Sequence, residues 1–311
     1  MKVLVLGGAG YIGGVTSDVL SINHEVTVYD NLLYEDRYFK RLNFVNGDIR
    51  DTKKVVNSAE GCDVVVLLAA LVGDGACAVN PGLTEEINFL AVKNICEQLP
   101  KEKKIIFMST ASVYGANEEL VDEIGPTKPL SIYASTKLRA EKYVLERGGV
   151  VFRLGTVFGV GDQYSRIRSD LVVNTLTIKA FVENKIVVNG GNQYRPLISV
   201  RDVAYYLAEA CESPAFGLFN LAYKNATISS IADDIFLVFP NVEIKRTDIL
   251  FEDERNYKVN TQKARNTFSY TPIYSVLSEI KNMAMLLYGG RIKNPNSVVY
   301  NNGMYLSNMR I

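Results

Sequence analysis

Apolar positions in this chain follow two rhythms. Strand-like, mostly apolar runs stand at Lys2–Leu6, Glu25–Tyr29, Asn43–Asn46, Asp63–Leu68, Lys104–Met108 and Val150–Leu154. Short runs of this kind, bounded by turn residues, predict strands buried on both faces. Between them, apolar residues recur at helical spacing, most clearly over Gly14–Ser21, Leu83–Leu99 and Ile132–Arg147. Strand and helix alternate through the first half, which predicts an α/β fold with a doubly wound parallel sheet and right-handed crossovers. Beyond about Gly159 the alternation loosens. Ile186–Val188 and Pro196–Ser199 read as short strands, Val203–Glu212 as a helix, and Phe219–Leu221 as a return to the sheet. The expected division is residues 1–159, rejoined by about 197–222, and a smaller C-terminal lobe from 160–196 and 223–311. The tail from Gly289, rich in Asn and Gly with scattered aromatics, reads as an extended arm or a mobile end. No internal repeat is visible.

The first strand run ends in Gly7-Gly8-Ala9-Gly10-Tyr11-Ile12-Gly13. The glycines fit two registers, Gly8/Gly10/Gly13 and Gly7/Gly10/Gly13. In either, Gly10 allows close approach of a pyrophosphate and Gly13 lets the helix pack on the strand. The helix start then presents unpaired N–H groups to phosphates. Tyr11 and Ile12 open that helix. The second strand ends in Asp30, followed by Asn31. A carboxylate there accepts bonds from adenosine ribose hydroxyls and repels a 2′-phosphate, and no arginine follows before Arg37. These features predict a Rossmann-type dinucleotide site for NAD rather than NADP.

Composition narrows the classes. Thirty-four basic residues balance 34 acidic ones, giving a formal net charge of zero, unlike the footprint of a nucleic-acid binder. The first apolar run, Val3–Leu6, is too short for an export signal, and no apolar run is long enough to span a membrane. Cytoplasmic location is the expectation. Cys62, Cys77, Cys96 and Cys211 lack metal-type spacing and read as reduced thiols. His24, the one histidine, lies in the turn before the second strand, away from the sheet's carboxyl edge. A histidine proton shuttle and a zinc centre are therefore not expected.

Tyr133 and Lys137 stand four residues apart, so on a helix they share one face. A cation beside a phenol favours the phenolate, and a tyrosine tuned in this way is a base for a sugar hydroxyl near neutral pH. Such a base suits hydride transfer to a nicotinamide.

With these residues the chain resembles the extended short-chain dehydrogenase/reductases, the class of NAD-dependent nucleotide-sugar epimerases and dehydratases. The resemblance covers about residues 1–280. Its marks are the glycine turn, Asp30, Asp48-Ile49, Leu68-Ala69-Ala70, Asn88, Ser109 to Gly115, Tyr133/Lys137 and Arg195. It implies a Rossmann-type NAD domain and a smaller C-terminal substrate-binding lobe. Asp48 and Ile49 would hold the adenine, and Leu68, Ala69 and Ala70 would line the path to the nicotinamide. Asn88 would bind a backbone group or water beside the cofactor, or be a plain helix residue. Thr110 would hydrogen-bond the reacting sugar oxygen, Tyr133 would be the acid/base, and Lys137 would bind the nicotinamide ribose. Arg195 and Arg255 would clamp the substrate diphosphate. A homodimer formed through the helices Leu83–Leu99 and Ile132–Arg147 is the family expectation.

Departures refine the reading. Where family dehydratases carry an Asp-Glu pair after the threonine, this chain has Ala111 and Ser112. A decarboxylase's glutamate and the Cys/His pair of two-carbon epimerases are also missing. Leu67 replaces a frequent histidine, and Thr156 stands where a substrate-contacting asparagine is frequent. Thr, Tyr, Lys and NAD remain, which suffices to oxidise a sugar C4 hydroxyl and return the hydride. The leading expectation is a nucleotide-sugar 4-epimerase. The alternatives are a 4-dehydrogenase, which the Leu68–Cys77 segment also resembles, and a non-catalytic NAD sensor. Asp74 and Cys77 lie on the loop after the fourth strand, and Arg166, Arg168 and Asp170 are further loop candidates for the sugar side.

Overall fold

The computed structural model describes residues 1–164, 166–248 and 256–309. Seven parallel strands form the central sheet, in the order Gly217–Leu221, Val150–Leu154, Lys104–Thr110, Val64–Leu67, Lys2–Leu6, Glu25–Asp30, Asn43–Asn46. Side chains alternate across it. Val3 and Val5 join one core with Leu20, Val203 and Leu207, while Leu4 and Leu6 join another with Val92, Ile95 and Val144. The helices Tyr11–Leu20 and Val200–Glu212 supply the first face, and Ala91–Gln98 and Ile132–Glu146 the second. Burial on both sides is why these strands read as mostly apolar runs. Each fully buried Val or Leu contributes about 1.5–3 kcal/mol.

The chain lays down its first three strands toward one edge, then crosses back and builds toward the other. The switch falls between Lys2–Leu6 and Val64–Leu67. There the carbonyl of Leu6 accepts the N–H groups of both Leu68 and Ala69, at 2.9 and 2.8 Å. This pins the loop after the fourth strand beside the glycine turn. A crevice at the carboxyl ends of the strands follows from the topology alone.

Smaller sheets lie beyond that edge. Tyr194–Ser199 pairs with Thr156–Phe158 and Lys224–Thr227, and Lys185–Asn189 pairs with Glu243–Thr247. They enclose a third core containing Phe158, Leu176, Ile186, Ile231 and Ile280.

Two expectations change. The helix predicted over Leu83–Leu99 is a relay of an α-helix at Pro81–Glu85, a π-turn at Glu86–Leu90 and an α-helix at Ala91–Gln98. Asn80 caps its start by accepting the Leu83 N–H at 3.0 Å. The tail is neither an extended arm nor a loose end. Val298–Tyr300 forms a 3-10 turn and Asn302–Met309 a helix packed on the helix Asp74–Val79. Tyr305 meets the Tyr34 ring at 5.4 Å. Leu306 and Ile292 join buried clusters, and Asn302 adds hydrogen bonds that an apolar pattern does not report.

A buried polar chain braces the sheet. Arg153 pairs with Glu141 at 2.7 Å and donates to the Tyr114 hydroxyl at 3.0 Å, which donates to Asn220 Oδ1 at 2.7 Å. Ser109 also donates to Glu141. The chain joins the Ile132–Glu146 helix to three adjacent strands. Replacing Arg153 by Met leaves Glu141 buried without its counter-charge. That should cost about 3–5 kcal/mol, read as a fall in the urea midpoint; a loss below about 1 kcal/mol would show the pair to be dispensable.

Candidate active site

A cavity of about 780 Å³ opens at the topological switch. Its wall includes Gly7, Gly10, Tyr11, Ile12, Gly13, Asp30, Asn31, Asp48, Ile49 and Leu68 to Ala70. Thr110, Tyr133, Lys137, Thr156 and Arg195 line it as well. Asn88 does not. Its side chain accepts from Leu71 N–H at 2.9 Å and donates to Leu71 carbonyl at 2.8 Å, so it braces the loop behind the wall. The π-turn places this residue on the protein interior. Arg255 lies outside the described residues.

The glycines divide by role. Gly7 has φ +84°, and a Cβ on it would stand 2.5 Å from the Ala69 nitrogen. A Cβ on Gly13 would stand 2.0 Å from the Gly7 carbonyl oxygen. These two hold strand, loop and helix in backbone contact. A Cβ on Gly10 meets only the Gly7 oxygen at 3.4 Å. What Gly10 keeps clear is therefore ligand space. It precedes the helix Tyr11–Leu20 and offers no side-chain cap, so the helix N–H groups and dipole favour an anion.

Asp30 completes this half. It accepts from Ala9 N–H at 3.0 Å and Leu32 N–H at 2.8 Å, and burial raises its carboxyl above the usual range. No ion pair forms at Asp30 among the described residues. This setting suits ribose hydroxyls and disfavours a phosphate. The Asp48 carboxyl is held low, mainly by a hydrogen-bonded Arg50 fork. These residues fit NAD.

The reacting half sits on two elements. Thr110 ends its strand and accepts the Ser112 N–H at 3.1 Å, which orients its hydroxyl. Ser131 caps the Ile132–Glu146 helix, so Tyr133 falls in the first turn. Burial pushes the Tyr133 phenol well above its ordinary value, and Cys77 and Asp74 add to this. A hydrogen bond with Thr110 and the Arg168 charge pull the other way. Lys137 Nζ donates to the Met108 carbonyl at 2.9 Å and stands 4.5 Å from the Phe107 ring centroid. Burial pushes its ammonium down to about 8. The expected lowering of Tyr133 by Lys137 is therefore reversed in the protein alone. Desolvation opposes both charges at once and is the largest influence on each.

Other residues enter the wall that the sequence left open or did not suggest. Asp74 lines it and accepts from Ser131 Oγ at 2.6 Å. Cys77 is buried behind it and its thiol donates to Leu71 carbonyl. Arg166, Arg168 and Asp170 line the wall, as do Tyr34 and tail residues Asn301, Asn302 and Gly303. A place in the second lobe pointed to the loop arginines but not to their burial, and no motif marked the tail. His24 lies elsewhere, 3.1 Å from Glu212. Among the described residues no group of three His, Cys, Asp or Glu could hold a metal, and no helix is long and apolar enough to cross a membrane.

A dinucleotide-type sheet with a Thr-Tyr-Lys constellation in one cavity defines a nicotinamide-dependent enzyme of the short-chain type. The chain belongs to the NAD dependent epimerase/dehydratase family, whose model matches residues 3–222. The UDP-glucose 4-epimerase of Halalkalibacterium halodurans is 34% identical over 250 residues, 71% of this chain and 75% of that one. The X-ray structure of Pal from Bacillus thuringiensis superposes with a TM-score of 0.80 at 27% identity, covering 93% of this chain and 99% of that chain. UDP-glucose 4-epimerase from Thermotoga maritima, solved with UDP-glucose, shares the fold with a TM-score of 0.81 at 22% identity, over 93% of this chain and 99% of that chain. NAD is the cofactor of this family.

Two outcomes follow from the geometry. Gly10→Ala should fold with a near-normal melting temperature yet lose most NAD affinity, whereas Gly13→Ala should melt markedly lower; equal melting of both would refute the division of roles. Lys137→Met should abolish turnover while raising stability at pH 7 by about 3 kcal/mol, since each of the roughly 2.5 pKa units between 10.5 and about 8 is worth 1.36 kcal/mol. The folded ammonium is depressed to about 8, so the unfolded chain binds the extra proton and wild-type stability rises between about pH 8 and 10.5. The variant's advantage should close over that window in denaturant titrations.

Proposed function

We propose that this protein is an NAD-dependent nucleotide-sugar 4-epimerase working through a transient 4-keto sugar. The observation that carries the reading is that Thr110, Tyr133 and Lys137 line the same cavity as the glycine turn. NAD, when bound, supplies the acceptor and then the donor of the C4 hydride. Tyr133 Oη takes the proton of the C4 hydroxyl and later returns one to the same oxygen. Thr110 holds that oxygen in place. Lys137 supplies positive charge beneath the site, and the first turn of the Tyr133 helix favours the phenolate. Between the two hydride steps the keto-sugar turns and presents its other face.

The neighbours of Thr110 support this choice over elimination. Ala111 is fully buried, and Ser112 Oγ faces the Tyr257 hydroxyl at 3.4 Å. Neither is a carboxylic acid. Glu141, the nearest buried carboxylate along the helix, is held by Arg153. Thr156 and Arg195 lie on paired strands of the smaller sheet, where Arg195 suits a diphosphate. Residues 160–196 and 223–311 form the substrate lobe in this reading. A homodimer through the Pro81–Gln98 and Ile132–Glu146 faces, in the cytoplasm, completes it; Leu90 is 39% exposed on that side.

The test is NMR of UDP-, GDP-, dTDP- and CDP-hexoses and heptoses with enzyme and NAD, while NADH absorbance is followed. A C4 epimer should form without net NADH, and Tyr133→Phe should lower kcat at least 100-fold. A ketone with accumulating NADH would instead make the protein a dehydrogenase.

A further inference from the structure

The loop after Thr156–Phe158 and the C-terminal tail meet at one buried point. Arg168 is 8% exposed and forks onto Asp170 through Nε at 2.8 Å and Nη2 at 2.9 Å. The Asn302 N–H donates to the same Asp170 at 3.2 Å. Asn302 is fully buried; its Nδ2 donates to the Val72 carbonyl at 3.0 Å, and its Oδ1 accepts from Arg166. Arg166 in turn stacks over Tyr34 at 4.1 Å. One asparagine thus ties together the loop after the fourth strand, the arginine loop and, through Arg166, the loop after the second strand.

The backbone of Arg168 is held by Asn174 on the helix Val172–Glu183, which meets the glycine-turn helix at a shared acceptor. Asn174 donates to the Arg168 carbonyl at 2.9 Å and to the Gly159 carbonyl at 3.1 Å. The Tyr11 hydroxyl donates to that same Gly159 carbonyl at 2.7 Å. The positive charge of Arg168 is felt at Tyr11, at Tyr34 and at Tyr133. Its Nη2 would lie 3.8 Å from a Cβ on Gly73. Asp170 engages Nε and Nη2, which leaves Nη1 for whatever fills the cavity. A buried guanidinium in such a wall suits an anion with paired oxygens.

We infer that Arg168, fixed by Asp170 and by the tail residue Asn302, contacts the diphosphate of the bound dinucleotide opposite the glycine turn and thereby slows its release. The inference rests on the reading of the cavity as an NAD site. It adds a reason for the epimerase outcome, since a cofactor regenerated in place has no need to leave.

The experiment uses the full chain, carrying Arg168→Gln, Arg168→Lys, Asn302→Ala or the pair Arg168→Gln/Asp170→Asn. NAD released by denaturation after gel filtration, the NAD Kd of stripped protein and the sugar-nucleotide KM at saturating NAD are measured. Arg168→Gln and the double variant should raise the NAD Kd tenfold or more and empty most of the protein of NAD. Asn302→Ala and Arg168→Lys should move the same way by less, with KM within twofold throughout. They carry the test if Arg168→Gln does not fold, as judged by circular dichroism. Unchanged NAD retention overturns the inference. A raised KM with NAD affinity intact does so too, because Arg168 would then serve the sugar nucleotide's diphosphate. Wild-type affinity in the double variant likewise overturns it, by tracing the effect to an unpaired Asp170. Wild-type protein that binds no NAD would sink the cavity reading and this inference together.

Discussion

Backbone touching backbone at the switch point is the constraint on which the rest depends. The carbonyl of Gly7 lies where a Cβ on Gly13 would have to go, and a Cβ on Gly7 would fall on the Ala69 nitrogen. Strand, helix and crossing loop can meet this closely only without side chains between them. Because they do, the first helix starts at the cavity and aims its N–H groups into it. The opposing loop then brings Leu68 to Ala70 to the same wall. Shift this contact by the thickness of one methyl group, and the anion-binding helix end and the reacting wall no longer face a common space.

Against that fixed frame, the chemistry is governed by burial. Lys137 is buried and Tyr133 half-buried, and desolvation drives both toward their neutral forms. A buried ammonium near its own titration point is a weak anchor for a phenolate until further positive charge arrives. Arg168 and Thr110 already oppose the desolvation of Tyr133, which links the acid/base to both the arginine loop and the strand edge.

Much of this was legible in the chain. Apolar runs located the central parallel strands because burial on two faces leaves little alternation to obscure them; Val64–Leu67 and Val150–Leu154 fall where the pattern put them. The glycine turn, Asp30 and the Thr110, Tyr133 and Lys137 set were visible because their spacing reflects backbone geometry. What escaped were features built from tertiary polar contacts. Asn88 does bind a backbone group, but which one, that of Leu71, could not be seen, because the π-turn that aims it inward leaves no mark on spacing. The Glu141–Arg153 brace and the docked tail are likewise pairings between distant segments. The sign of the Tyr133 shift was misjudged because the local cation was visible and the depth of burial was not.

The cavity wall is drawn from both extremes of the chain, residues 7–13 and 301–303. Asn302 fastens Val72, Arg166 and Asp170 together. The loops that carry those residues therefore share one pin, and a change at this single asparagine reaches the cavity from several sides at once.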